Sequence, residues 1–114
     1  MTANRFNFRA YILKEKYMVD VEILHPEYIL AYDGKTYSLD NVNNSKNYIL
    51  MQSTGLVDKN GKEIFENCII NNNFLVVFKN YKFILINILN NDIVDFYEYT
   101  EKNRIEITDE YKQI

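Results

Sequence analysis

The chain has 114 residues, with 13 Lys and Arg against 16 Asp and Glu, and single Cys, His and Pro residues. A chain of this length can bury one core without help from a metal or disulfides, so we predict a single domain over residues 1–114. With 47% hydrophobic and 25% charged residues, the composition excludes the intrinsically disordered class.

Membrane and metal-binding classes are also disfavoured. The longest apolar stretches, such as residues 74–78, are far shorter than the roughly 18 residues of a membrane span, and the polar start has no apolar signal region. We therefore predict a cytoplasmic protein without membrane contact. A lone Cys68 cannot form an internal disulfide, and one His25 offers no Cys/His set for zinc, so no cofactor is predicted.

The first predicted element is a β-hairpin over residues 5–24. Apolar side chains occupy every second position from Phe6 to Ile12, and the alternation resumes from Tyr17 to Leu24 after a polar break. After Pro26, residues 28–32 and 36–39 flank Asp33-Gly34, which favours a second hairpin with a type I′ turn. We expect an exposed loop at residues 40–47 and a short, buried strand at residues 48–52.

The second half of the chain continues the strand pattern. Asn60-Gly61 predicts a turn between residues 56–59 and 62–65, and Asn80-Tyr81 connects predicted strands at 74–79 and 82–89. The last of these strands is apolar on both faces, so we expect it to be buried. Residues 91–102 fit a helix with Asn91 or Asp92 as N-cap, or a strand, and both remain open. Residues 104–108 predict a final strand, with a six-residue tail after it.

One segment identifies a family. The run YILMQSTGLVDKNGKEIFENCII at residues 48–70 resembles the central pattern of the YopX-like proteins of phages and prophages, and FRAYILKEKYMVDVEIL at residues 8–24 resembles the start of the same family. The resemblance implies a mainly β fold whose small bifurcated sheet partly closes into a barrel, and it brings no catalytic residues. The chain departs from the family pattern at Ser53, at residues 65–68 and over most of the C-terminus. Asn67 can still adopt a left-handed conformation at its turn.

The strongest candidate site is the loop of the central motif. A scaffold role explains its residues, because Gly61 permits turn geometry and Asp58 and Asn60 can cap it. The alternative is a recognition loop, since loops on a rigid sheet often bind partners. A calcium site is disfavoured because the ligands are too few. The candidate loop comprises Asp58, Lys59, Asn60, Gly61, Lys62 and Glu63.

No set of side chains in the sequence suits catalysis, so we predict a protein that is not an enzyme. Ten tyrosines and a net charge of −3 favour a module that binds a host or phage protein in the host cytoplasm. Open strand edges also favour a homo-oligomer. The alternative is a barrel that binds single-stranded nucleic acid, although the negative charge disfavours nucleic acid as a partner. Its candidate strip is Arg5, Arg9, Tyr11, Lys14 and Lys16.

Overall fold

The computed structural model describes residues 7–38 and 47–111 of the chain. Predictions for residues 1–6, 39–46 and 112–114, including Arg5, Phe6, most of the loop at 40–47 and the end of the tail, lie outside the described residues. The chain divides into two compact units. We call Phe6–Gln52 the N-terminal unit and Ser53–Ile114 the C-terminal unit.

The N-terminal unit is an antiparallel sheet with the strand order β4-β3-β2-β1-β5. Its first hairpin pairs Phe8 with Val21 and Ile12 with Tyr17, which confirms the predicted hairpin for the described residues. On its other side β1 pairs with the start of the family motif, because Ile12 lies opposite Tyr48. The strands are β1 (Phe8–Ile12), β2 (Tyr17–Leu24), β3 (Tyr28–Ala31), β4 (Thr36–Ser38) and β5 (Tyr48–Val57), which ends in the C-terminal unit.

Alternating apolar side chains build the core of the N-terminal unit, as the period of two predicts. The buried members are Ala10, Ile12, Val19, Val21, Ile29, Ala31 and Tyr48. Beside this core the Tyr17 and Tyr37 hydroxyl groups share a hydrogen bond across the sheet. That bond, with burial, raises the pKa of Tyr37 above its ordinary value.

The C-terminal unit contains the end of β5, which pairs with β6, and a five-stranded antiparallel sheet with the order β10-β9-β8-β7-β11. Ser53 and Thr54 lie buried in β5 although they are polar. The Thr54 hydroxyl donates to the Ile64 carbonyl at 2.7 Å, so burial leaves it with a partner. The other strands are β6 (Glu63–Phe65), β7 (Ile69–Ile70), β8 (Phe74–Lys79), β9 (Lys82–Asn87), β10 (Ile93–Asp95) and β11 (Ile107–Asp109).

Both interpretations of residues 91–102 hold in part, because strand β10 leads directly into helix α1 (Phe96–Lys102). The N-cap is Asp95 rather than Asn91 or Asp92, and its carboxylate accepts a hydrogen bond from the Glu98 N–H. The helix buries Phe96 completely beneath the aromatic ring of Phe83, whose centroid lies 6.2 Å away.

The fold is mainly β, as predicted, but the described residues form no closed barrel, so the partial barrel is not confirmed. Strand β9 ends at Asn87, and Ile88 and Leu89 beyond it are exposed rather than buried, because the chain turns there toward β10. The final strand starts at Ile107 instead of residue 104. The single domain and the self-association through open strand edges stay predictions.

Candidate functional site

The motif turn, residues 58–62, connects β5 to β6 in the C-terminal unit. Of the Asn60-Gly61 pair only Gly61 has a positive φ, at 81°. The Gly61 N–H donates to the Asp58 carbonyl at 3.0 Å, and the Asp58 N–H donates to the Lys62 carbonyl at 2.7 Å. This is a type I turn followed by a left-handed glycine, the usual form of a three-residue hairpin loop.

The turn at Asp33-Gly34 has the same geometry, and the predicted type I′ turn is wrong there. Gly34 has a φ of 87°, whereas Asp33 has no positive φ. The Gly34 N–H donates to the Ala31 carbonyl, and the Ala31 N–H donates to the Lys35 carbonyl. A type I′ turn needs two left-handed residues, and here the loop is one residue longer than the dipeptide signal implies.

Asp58 holds the motif turn together from inside. Its side chain is only 6% exposed. One carboxylate oxygen accepts from the Asn60 and Lys62 N–H groups at 2.9 Å each, and the other accepts from the Ile107 N–H at 3.1 Å. The carboxylate thus joins the turn to strand β11. Burial acts to raise the pKa of Asp58, but these three donors and the Lys62 cation together lower it below its ordinary value.

The rest of the motif turn also binds to the C-terminal segment at residues 105–110. The Lys59 N–H donates to the Ile105 carbonyl at 2.8 Å, and the Lys59 ammonium lies 3.5 Å from the Glu106 carboxylate. Lys62 pairs with Glu110 at 2.9 Å, and this hydrogen bond raises the pKa of Lys62. These contacts support the scaffold interpretation of the motif.

A cleft of about 500 Å³ lies beside the motif turn. One wall is the end of β5 and the start of the turn, including Leu56 and Lys59, and the other is the face of α1 that carries Tyr97, Thr100 and Glu101. Asp58 and Ile105 also line it. The cleft therefore brings the first two residues of the candidate loop together with the helix.

The polar groups that line the cleft already have partners within the fold. The Tyr97 hydroxyl donates to the Thr54 carbonyl at 2.7 Å, and the Thr100 hydroxyl donates to the Tyr97 carbonyl at 2.9 Å. The Asn103 amide donates to the Tyr99 carbonyl at 3.0 Å. What the cleft offers to another molecule is therefore mainly its apolar surface, together with the Glu101 carboxylate and the Lys59 ammonium, which is paired with Glu106.

A sequence model described as YopX protein matches residues 7–112. The chain belongs to the YopX family. No curated protein matches the chain in sequence. The YopX match runs through both units, so it covers the departures at residues 65–68 and most of the divergent C-terminus. At the departure Asn67, φ is 69°, which confirms the expected left-handed turn.

The described residues do not form the basic strip that the nucleic-acid alternative requires. Arg9 is only 6% exposed, and its backbone lies opposite that of Asp20 in β2. Tyr11 is half-buried, whereas Lys14 and Lys16 are exposed in the turn between β1 and β2. A buried guanidinium cannot neutralise a phosphate, and Arg5 lies outside the described residues.

Sequence reasoning missed the role of α1 as a wall of the cleft. The sequence shows the helical spacing of Phe96, Tyr97 and Thr100, but which element lies opposite that face of the helix depends on tertiary packing. In the described part of the chain, no three His, Cys, Asp or Glu side chains cluster as metal ligands would. Within that part, no helix has the length and apolar character needed to cross a bilayer.

Proposed function

We propose that this YopX-family chain is a non-enzymatic phage or prophage accessory protein that binds a host or phage protein in the host cytoplasm. The observation that carries the proposal is the cleft between the motif turn and α1. Its polar side chains Tyr97 and Thr100 are bonded within the fold, more than half of its accessible surface is apolar, and Lys59 and Glu101 add one cation and one anion to its lining. Such a surface suits the side chains of a partner protein.

The chemistry of Asp58 supports binding over catalysis. A general acid or base needs a carboxyl group that can exchange a proton near neutral pH and reach a substrate. Asp58 has a lowered pKa, and each of its oxygens accepts at least one backbone N–H bond. Proton transfer by Asp58 would remove the bonds that hold the motif turn.

The cleft is large enough for a few side chains of an inserted protein segment. Leu56 and Ile105 offer apolar contact, and Tyr97, which is 42% exposed, also lines the cleft. Lys59 and Glu101 carry opposite charges on the two walls, so they can set the direction in which a peptide enters. Lys59 is tied to Glu106, which holds its ammonium group in place.

The test fills the cleft with one large side chain, and it removes only the exposed hydrogen bond from the Thr100 hydroxyl to the Tyr97 carbonyl. Thr100→Trp places a large side chain in the cleft, and Lys102→Trp places the same side chain on α1 outside the cleft lining. Each variant and the native chain are immobilised, and proteins retained from cells that express the chain are identified by mass spectrometry. Circular dichroism melting curves show whether both variants fold.

We expect one retained protein to be recovered by the native chain and by Lys102→Trp, and to be lost with Thr100→Trp. The same protein, purified, should bind the native chain at least tenfold more tightly than Thr100→Trp. Equal binding to both tryptophan variants would contradict a role for the cleft. Recovery of no protein above background would contradict the binding function itself.

A further inference from the structure

The hairpin of β8 and β9 closes with an unusual turn. Asn80 and Tyr81 form a two-residue connection in which both residues have positive φ, 54° and 65°. This type I′ geometry favours Asn at the first position and Gly at the second. A bulky aromatic residue in the left-handed region is strained, so Tyr81 is a poor choice for the turn itself.

Packing does not compensate for this strain. The Tyr81 side chain is 97% exposed, so its ring gains almost no apolar contact from the fold. A glycine there would close the hairpin with less strain and would expose no aromatic ring to water. The identity of residue 81 is therefore not explained by the folded chain alone.

The two lysines beside the turn also lower the stability of the hairpin. Lys79 and Lys82 lie directly opposite each other at the end of the ladder, where like charges repel. The Lys82 ammonium lies 3.9 Å from the Asp95 carboxylate, and the Lys82 side chain stays 61% exposed. Both lysines therefore project charge at the same end of the hairpin as Tyr81.

The base of the tip is aromatic. Phe78 pairs with Phe83 across the strands, with ring centroids 4.9 Å apart in an edge-to-face arrangement. Phe83 is buried, whereas Phe78 is 37% exposed. We call Phe78, Lys79, Tyr81 and Lys82 the hairpin tip. It presents two aromatic rings and two cations at the end of the paired strands β8 and β9.

We propose that the hairpin tip is a contact surface for a protein partner with an acidic patch around an apolar recess that receives Tyr81. The inference rests on the proposed function and adds a second contact surface to it. Residues that disfavour a fold locally are expected where a function requires them. Tyrosine suits this role because it buries a large area with few rotatable bonds.

The charges favour a protein over a nucleic acid. Binding to a nucleic acid depends mainly on the number of phosphates that Lys and Arg neutralise. The tip has two lysines, one of them near Asp95, and the chain carries a net charge of −3. Two cations beside an aromatic ring are sufficient to complement a small acidic patch on a protein.

The first experiment is site-specific photo-crosslinking in cells that express the chain. A benzophenone amino acid replaces Tyr81 in one version and Tyr32 in another, since Tyr32 is also an exposed turn residue, at 69%. We expect position 81, and not position 32, to crosslink to one protein within a segment rich in Asp and Glu. Equal crosslinking from both positions, or none from position 81, would overturn the proposal.

The second experiment measures the affinity of that purified protein for the native chain, Tyr81→Gly and the double variant Lys79→Glu with Lys82→Glu. We expect each variant to bind at least tenfold more weakly, with no loss of melting temperature in Tyr81→Gly. Lys35→Glu, an exposed charge change in the other unit, is the control and should bind as the native chain does. An unchanged affinity in Tyr81→Gly would overturn the proposal.

A third measurement distinguishes single-stranded nucleic acid from an acidic protein as the ligand of the hairpin tip. A fluorescent single-stranded 20-nucleotide DNA is titrated at low salt, and binding that Tyr81→Gly abolishes would assign the tip to nucleic acid and overturn the acidic-protein proposal. If Thr100→Trp abolishes partner binding while Tyr81→Gly does not, the proposed function stands and the role of the tip is wrong. If neither variant changes retention of a specific partner, neither proposed surface contributes.

Discussion

The motif turn and the hairpin tip are both turns of the C-terminal unit, yet they relate to the fold in opposite ways. In the motif turn, Asp58 and Gly61 each satisfy a requirement of the backbone, and the turn is bonded to residues 105–110. At the hairpin tip, Tyr81 is strained and exposed. A distinctive sequence motif can thus serve the scaffold, whereas a turn whose residues disfavour its backbone geometry indicates a surface that contacts another molecule.

The largest effect should come from removing the carboxylate at the centre of the motif turn. Asp58→Ala leaves three backbone N–H groups without their acceptor, and we expect it to lower the free energy of unfolding by about 3 kcal/mol. Asp33→Ala is the control, because Asp33 lies in the exposed turn of the same geometry and its carboxylate accepts from the Lys35 N–H. The control should cost about 0.5 kcal/mol. Urea unfolding checks both, and equal losses would contradict the anchoring role of Asp58.

The Asp58 carboxylate should also make the free energy of unfolding depend on pH. The pKa of Asp58 is lower in the folded chain than the ordinary value of 3.8, so the unfolded chain binds the proton first as the pH falls. Its stabilising contribution is complete above about pH 4 and is lost as the pH falls through the folded pKa. Asp58→Asn removes this titration. Its free energy of unfolding should therefore fall less than that of the native chain between about pH 5 and pH 2.

Gly61 and Gly34 test whether the motif turn and the turn at Asp33-Gly34 differ in backbone geometry or only in tertiary contacts. Gly61 and Gly34 have φ values of 81° and 87°, and an added Cβ meets no atom within 4 Å at either position. Alanine at either position should cost about 1 kcal/mol, because left-handed strain outweighs the gain from the lower conformational entropy of alanine in the unfolded chain. Differential scanning calorimetry of both variants should give similar losses. A loss at Gly61 several times larger would show that its neighbours also restrict the backbone.

The smallest expected effect is a gain in stability at the hairpin tip. Lys79→Glu replaces the repulsive pair with Lys82 by an attractive one, and it should raise the free energy of unfolding by about 0.5 kcal/mol. Lys79→Gln removes only the repulsion and should give roughly half of that gain. Thermal unfolding at low and high salt checks the origin of the effect, which salt should screen. A loss of stability in Lys79→Glu would show that Lys79 contributes to the fold.

Local pattern predicts the strands well where one face is apolar. The bounds of β2 and β8 agree with the prediction, because alternation or an apolar run is interrupted sharply by polar turn residues. Strand β5 is longer than predicted, since Ser53 and Thr54 continue it with hydroxyl groups that bond to the backbone. Such bonds depend on the neighbouring strand, and a period of two does not reveal them.

In the candidate site, too, the sequence predicts the local contacts and not those that depend on tertiary packing. The motif predicts the turn and the capping role of Asp58, because those depend on residues within five positions of each other. The bond from Ile107 to Asp58, 49 positions away, depends on how β11 packs. One wall of the cleft is α1, and the sequence does not show where this helix begins, because its N-cap is Asp95 rather than Asn91 or Asp92. Contacts of this kind are absent from any local pattern.

The hairpin tip lowers the free energy of unfolding, whereas the motif turn raises it. Urea unfolding of Tyr81→Gly tests this difference most directly. Relief of left-handed strain, about 1 to 2 kcal/mol, should exceed the added entropy of glycine in the unfolded chain, about 0.5 to 1 kcal/mol. We therefore expect Tyr81→Gly to be more stable than the native chain by about 0.5 to 1 kcal/mol. A loss of about 1 kcal/mol or more would show that Tyr81 supports the fold and would contradict the claim.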